Sequence, residues 1–199
     1  MATRTRRRRT CAHCSVPITQ GATGRPRLFC SASCREMAHR RRKARRPARN
    51  SWFTPEPLRT EVKARWPIAL DAAAEEASHL VDAWLGLDHP DPARRDALGF
   101  EHWGLVPGFT GGAVWLNPPY RPRPAITAFT AKAAATGAAG ITVIGLVPAS
   151  VDAAWWREHV NAAGAAVEFL PRRLRFDGPH ASGYQAPWPC ALIIWGPGS

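Results

Sequence analysis

The first fifty residues contain a single acid, Glu36, against fifteen Arg or Lys, whereas residues 51–199 carry twelve basic and fourteen acidic side chains. Acid is scarce at one end only, so the formal charge of +12 belongs to that segment. Basic blocks of this kind most often meet a nucleic-acid backbone, because each neutralised phosphate releases counterions. A long apolar run is also missing. The most apolar stretch, Ala133 to Val147, is diluted by Gly and Thr and reads as a helix end running into a strand, not as a membrane span. No apolar core follows the N-terminal arginines, which argues against a secretory signal, so a cytoplasmic protein without membrane association is expected. No internal repeat is apparent. The five cysteines are an odd number, four of them in the basic segment and Cys190 alone in an apolar run; this distribution argues for metal binding over a disulfide framework.

Cys11-x-x-Cys14 and Cys30-x-x-x-Cys34 form two knuckle-like pairs separated by a loop, the spacing that lets four thiolates surround a tetrahedral zinc ion. Beyond Val16, Ile18, Leu28 and Phe29 the segment has almost no apolar residues, so metal binding would have to supply its folding free energy. It resembles the small zinc ribbons that end in Phe-Cys-Ser-x-x-Cys-Arg, here Phe29 to Arg35. His13 and His39 are alternative ligands. No activating Glu is apparent, which favours a structural over a catalytic zinc. Cys190 reads as a core residue in a strand. Three parts follow: a ribbon with its basic arm over 1–39, an Arg-rich linker over 40–50, either charged helix or flexible chain, and a body over 51–199.

The body alternates strand and helix signals, the pattern of an α/β fold with parallel crossovers. Pro57 suits the first helical position, and Leu58, Val62 and Trp66 recur on one face until Pro67 ends the helix. A strand runs through Ile68-Ala69-Leu70 to Asp71, and an Ala-rich helix is expected to follow. Ala113 to Leu116 is a second strand. Pro124 is placed to open the next helix and Gly137 to cap it. Ile141 to Val147 is the clearest buried strand. After it, Ser150 or Asp152 is positioned to cap a helix carrying Trp155, Trp156 and Val160. Val167 to Leu170 and Cys190 to Trp195 complete the strands, the latter expected at the sheet's far side.

The second strand stops at Asn117-Pro118-Pro119-Tyr120. In isolation this could be a turn, since Asn and Pro are common turn residues. Its place at a strand's carboxyl end, where α/β sheets bind ligands, points to a site. Asn117 to Tyr120 matches the [Asp/Asn/Ser]-Pro-Pro-[Tyr/Phe/Trp] motif of amino-methyltransferases, and the body resembles the phage DNA adenine-N6 methyltransferase family. The segments that carry the resemblance are Trp52-Phe53-Thr54-Pro55, Leu70 to Ala74, Asp96-Ala97-Leu98 with Trp103, Asn117 to Tyr120, Leu146 to Ala149 with Asp152 and Trp155-Trp156, and Arg172 to Phe176 followed by Ala186-Pro187.

The resemblance implies a Rossmann-like S-adenosylmethionine-dependent methyltransferase domain acting on the exocyclic amine of adenine in DNA. An aromatic amine is a poor nucleophile, because its lone pair is conjugated with the ring, so the nitrogen must be held where that pair can attack a methyl sulfonium in line. The Asn117 amide oxygen and the Pro118 carbonyl would accept the two amine hydrogens, and the stiffness of Pro118 and Pro119 would fix them. Tyr120 would stack on a base flipped out of the duplex. Asp71, with the small Ala72 and Ala73, falls where such enzymes begin the cofactor loop. Trp52, Thr54 and Pro55 match the segment that closes over the methionine part, and Asp96 the region contacting the adenosine. The chain departs from the wider pattern in having no Gly-x-Gly loop after Asp71 and Ala97 in place of a Gly after Asp96. Read without the resemblance, Asp71 is equally a cap, Asp96 a surface acid and Trp52 a core aromatic. Arg172, Arg173 and Arg175 would face the DNA backbone, or form a solvated face. His102, His159 and His180 have no metal partners at useful spacing. The expected partner is DNA, with no obligate protein partner inferred. The rival readings are a methyltransferase acting on an RNA base or a protein glutamine, and a zinc-ribbon DNA-binding protein whose methyltransferase body is an inactive scaffold.

Overall fold

The computed structural model describes residues 9–18, 26–36, 52–178 and 185–197. The Arg-rich stretch over 40–50, His39 and His180 lie outside the described residues. The chain divides into two compact units, Met1–Arg49 and Asn50–Ser199.

In the first unit, β1 (Arg9–Thr10) pairs antiparallel with β2 (Pro17–Ile18). The intervening turn is closed by Cys11 N–H to the Val16 carbonyl at 2.7 Å and Ser15 N–H to the Cys11 carbonyl at 2.9 Å. A helical turn, α1, spans residues 32–36. The Ser31 hydroxyl accepts from the Cys34 N–H at 3.1 Å, an end-capping bond that satisfies one of the orphan donors of the first turn. Among the described residues of this unit only Cys11 and Ile18 are buried, too few to form a hydrophobic core among them.

The second unit is built on a five-stranded mixed sheet of order β3-β4-β5-β7-β6, comprising β3 (Ile68–Asp71), β4 (Ala113–Leu116), β5 (Val143–Pro148), β6 (Ala166–Phe169) and β7 (Cys190–Trp195). The first three strands are parallel, and β7 runs antiparallel between β5 and β6. The fold is therefore α/β, as its alternating signals indicate. The expected position of β7 at the far side is corrected: it is internal, and β6 forms the edge. The reason lies in the side chains. All six residues of β7 are buried, and a continuous apolar run needs cover on both faces and partners on both edges. β6 carries Glu168 and ends at Phe169, which is 59% exposed; such a strand tolerates an edge.

The helices follow the sequence signals with three corrections. α2 (Glu56–Arg65) has Pro55 at its N-cap and Pro57 in its first turn, buries Leu58 and Val62, and ends where Trp66 turns extended. After β3, however, no Ala-rich helix forms. Residues 72–90 are turns and short bridges, because the segment returns along β3: Asp71 N–H donates to the Ala83 carbonyl at 2.9 Å and Leu85 N–H to the Asp71 carbonyl at 2.8 Å. Pairing the open edge of β3 overrides alanine's helix propensity, a weak preference at any single residue. Neither Ser150 nor Asp152 caps α4 (Ala154–Trp156): its N-cap is Ala153 with no side-chain bond, and it widens into a π-turn over Arg157–Asn161.

Gly137 does not cap α3 (Arg123–Ala138) but lies inside it. A Cβ there would stand 2.8 Å from the Trp195 Cβ and 2.9 Å from the Gly196 nitrogen, so the absent side chain is what lets α3 lie against β7. The reversal falls to Gly140, at φ +83°, a left-handed conformation that costs glycine little. Gly137→Ala should therefore destabilise the protein by about 1–3 kcal/mol in denaturant unfolding through overpacking. Helix propensity alone would give about 1 kcal/mol of stabilisation, so a gain on unfolding would contradict the packing account. Cys190 is buried in β7 at 1% exposure, and burial pushes its thiol up to about 12, as suits a core residue.

Candidate active site and four-cysteine centre

The parallel strands bring Asp71 beside Trp115 and Leu116 beside Gly145, so the residues after β3, β4 and β5 share one carboxyl edge of the sheet. Asn117 is the first residue past β4. Pro118 behind it is buried, and neither Pro118 nor Pro119 has an N–H to satisfy, so this loop meets the core without orphaned donors.

The Asn117 amide is held on both sides. Its Nδ2 donates to the Trp52 carbonyl at 2.8 Å and to the Thr54 hydroxyl oxygen at 3.2 Å. Its Oδ1 accepts from the Tyr120 hydroxyl at 2.9 Å, which also reaches the Leu146 carbonyl at 3.2 Å. A carbonyl oxygen only accepts, so the bond to Trp52 fixes which end of the amide is nitrogen and leaves Oδ1 a second lone pair. Trp52 to Thr54 is itself anchored. Phe53 and Asp177 exchange two backbone bonds of 3.0 Å, tying the segment to the residue after Phe176.

Four rings gather here. Trp52 lies 5.3 Å from Phe176 and 6.0 Å from Trp188, and Tyr120 lies 6.1 Å from Phe176 and 6.0 Å from Trp188, all at steep interplanar angles of 60–80°. Edge-to-face contacts of this kind suit the ring quadrupoles. Tyr120 is 7% exposed, and burial raises its phenol well above its ordinary value. The hydroxyl therefore stays protonated and donates. Trp188 was not singled out from the sequence: among nine tryptophans, nothing local distinguishes it from the core ones.

Asp71 is 4% exposed and its carboxylate is engaged by its own loop, accepting from Leu80 N–H at 2.8 Å and Ala73 N–H at 3.3 Å. Burial pushes it up to about 6, against the lowering influence of those two N–H groups. Between its unfolded value of 3.8 and about 6 the native state holds the proton more tightly, so Asp71's contribution to stability falls as pH rises through that window and is flat above it. Native protein should lose on the order of 3 kcal/mol relative to Asp71→Asn between pH 4 and 7 in denaturant unfolding. A difference independent of pH would contradict this.

Ala72 N–H donates to the Trp115 carbonyl and Ala74 N–H to the Leu85 carbonyl, each at 2.9 Å. The loop that lacks Gly-x-Gly thus spends successive amides internally, with Ala72 and Ala74 buried and Ala73 half-buried. Asp96 is on an exposed turn, its carboxylate accepting from Leu98 N–H at 3.1 Å; its bond goes to its own turn, not to the Asn117 group. Arg172, Arg173 and Arg175 are exposed. With Pro55, Pro57 and Leu58 they border a cleft of about 360 Å³, so the structure places them beside the segment that holds Asn117.

Residues 41–187 match the family model described as DNA N-6-adenine-methyltransferase (Dam). The chain belongs to this family. The match takes in Trp52, Thr54, Asn117 to Tyr120 and Arg172, Arg173 and Arg175 of this Dam-family chain, and leaves out its clustered cysteines. No curated protein and no solved structure matches it. Among the described residues no helix is long and apolar enough to cross a membrane.

In the N-terminal unit of this Dam-family chain, the sulfurs of Cys11, Cys14, Cys30 and Cys34 all lie within 4.8 Å of one another. The closest separations are 3.4 Å for Cys30 to Cys34, 3.6 Å for Cys14 to Cys30 and 3.7 Å for Cys34 to Cys14. A tetrahedron of zinc–sulfur bonds has edges of about 3.8 Å, so the donor set fits the ion in chemistry and size. Within the cluster desolvation raises the Cys11 thiol but is outweighed by the backbone N–H groups of Cys14, Cys30 and His13, which bring it down to about 6, whereas hydrogen bonds to the Cys34 and Cys14 sulfurs push Cys30 up to about 12. The four thiols thus share protons that a metal would displace.

Proposed function

We propose that this Dam-family chain is a site-specific DNA adenine-N6 methyltransferase of phage or prophage type, with a Rossmann-like transferase domain over 51–199, an Arg-rich linker over 40–50 and a structural zinc ribbon over 1–39. The observation that carries the reading is the Asn117 amide, held at the carboxyl end of β4 with its nitrogen bound to Trp52 and Thr54 and its oxygen on the other side. S-adenosylmethionine would supply the methyl group as a sulfonium electrophile. The adenine amine's lone pair forms the new N–C bond as the C–S bond breaks, and the surplus amine proton leaves to solvent. Asn117 Oδ1 and the Pro118 carbonyl accept the amine hydrogens, directing the nitrogen lone pair out of conjugation. Rigid placement of this sort is worth several powers of ten in rate. Tyr120 packs against a base flipped out of the duplex. For the cofactor, Trp52 and Pro55 would border the methionine part, Ala72 and Ala73 would line its loop, Asp71 shapes that loop through its bonds to Leu80 and Ala73, and Asp96 would serve the adenosine. Arg172, Arg173 and Arg175 take the DNA backbone, and Cys11, Cys14, Cys30 and Cys34 hold zinc. The cytoplasm is the place for such chemistry.

Labelled S-adenosylmethionine offered with unmethylated DNA, RNA and protein should label the DNA. Label in RNA or protein alone would favour the rival substrates, and none in any acceptor would favour an inactive scaffold. The basic segment is proposed to add DNA affinity, so removing residues 1–50 should flatten the salt dependence of binding by several phosphate contacts; an unchanged slope would contradict it.

A further inference from the structure

The motif at 117 to 120 admits Asp, Asn or Ser in its first place, yet the surroundings of Asn117 are not neutral between them. Both amide hydrogens have partners, the Trp52 carbonyl at 2.8 Å and the Thr54 hydroxyl oxygen at 3.2 Å. A carboxylate oxygen in the nitrogen's place would face the Trp52 carbonyl oxygen with no proton between them. The carbonyl cannot move away freely, because Phe53 next to it is fixed by its pair of bonds to Asp177. Thr54 is 7% exposed, so no bulk water replaces its oxygen if the hydroxyl is removed. An amide that loses this partner has a buried unsatisfied N–H, which costs enough to let the side chain swing.

We infer that Thr54 is a positioning residue: its hydroxyl, with the Trp52 carbonyl, locks the Asn117 amide with oxygen toward the substrate amine, and this lock makes Asn, not Asp, obligatory at 117 in this chain. The inference rests on the proposed methyl transfer to an amine. It gives Thr54 a task beside the cofactor contact its position suggested: the hydroxyl oxygen accepts from the Asn117 amide at 3.2 Å, and its own proton is left to donate.

The test combines kinetics with a readout that needs no turnover. Thr54→Val, close in shape, should lower kcat about 10- to 100-fold, with KM for DNA and for S-adenosylmethionine within about twofold, as loss of an orientation that acts on the chemical step and not on substrate binding requires. Thr54→Ser should restore kcat to within about threefold, because the hydroxyl returns without the methyl. Asn117→Asp should be nearly inactive although the motif admits it. In ¹⁵N-resolved spectra, the Asn117 side-chain amide pair, assigned by its loss in Asn117→Ala, should shift in Thr54→Val and return in Thr54→Ser. Unchanged kcat in Thr54→Val, equal loss in Val and Ser, or near-native activity of Asn117→Asp would each overturn the lock, as would an amide pair that does not move. Should Thr54→Val fail to fold, Asn117→Asp decides. A native protein that transfers no methyl to DNA would instead overturn the proposed function, leaving the spectra to judge the lock alone.

Discussion

Asn117→Ala should lower the single-turnover rate of methyl transfer by about 10²- to 10⁴-fold, the span expected when a group that places and polarises the reacting atom is removed. The fold should tolerate the change. The Tyr120 hydroxyl keeps the Leu146 carbonyl as acceptor, and the rings of Trp52, Phe176 and Trp188 still pack around Tyr120. The Trp52 carbonyl does lose its donor, a cost of about 1–3 kcal/mol. Kinetics and denaturant unfolding on the same sample separate the two effects: a large rate loss beside a small stability loss is expected, and a rate loss that only follows the unfolded fraction would contradict it.

Removing metal should collapse the N-terminal unit outright. Its strands are two residues each, its described residues bury only Cys11 and Ile18, and a core that small cannot offset the entropy of ordering the chain. Four thiolates around zinc contribute binding free energy of about 10–16 kcal/mol, and in such modules this is folding free energy. Chelation, or Cys14→Ser, should release one zinc per chain and collapse the dispersed amide signals of residues 9–18 and 26–36 to unfolded positions. Retention of those signals in zinc-free protein, or purified protein with no zinc to release, would contradict the account. The spacing of the cysteines was legible because tetrahedral coordination needs little else.

The rest of the fold was legible to different depths. β4 and β5 announce themselves as apolar runs, the first stopped by Asn117 and the second ending on Pro148 after starting at Val143, two residues past the expected Ile141, and α2 by its proline and its i, i+4 pair. What failed was whatever depends on distant partners. The alanines after Asp71 carry a helix signal, but the edge of β3 needed a backbone partner and the Trp84 segment supplied it. The place of β7 is a competition between two apolar strands, decided by Glu168 and Phe169 in the other. At the candidate site, the motif singled out Asn117 and Tyr120, but not that they bind each other, nor that Trp52 contributes its carbonyl. Backbone groups have no signature in a sequence, so the clamp on the amide became visible only once the fold brought residues 52–54 to 117.

The most direct measurement is mass spectrometry of nucleosides from unmethylated DNA incubated with S-adenosylmethionine and either native protein or Asn117→Ala. The account predicts N6-methyldeoxyadenosine from the native protein and its disappearance in the variant. Methylation of another nucleoside, or methyladenine formed equally by both proteins, would contradict it.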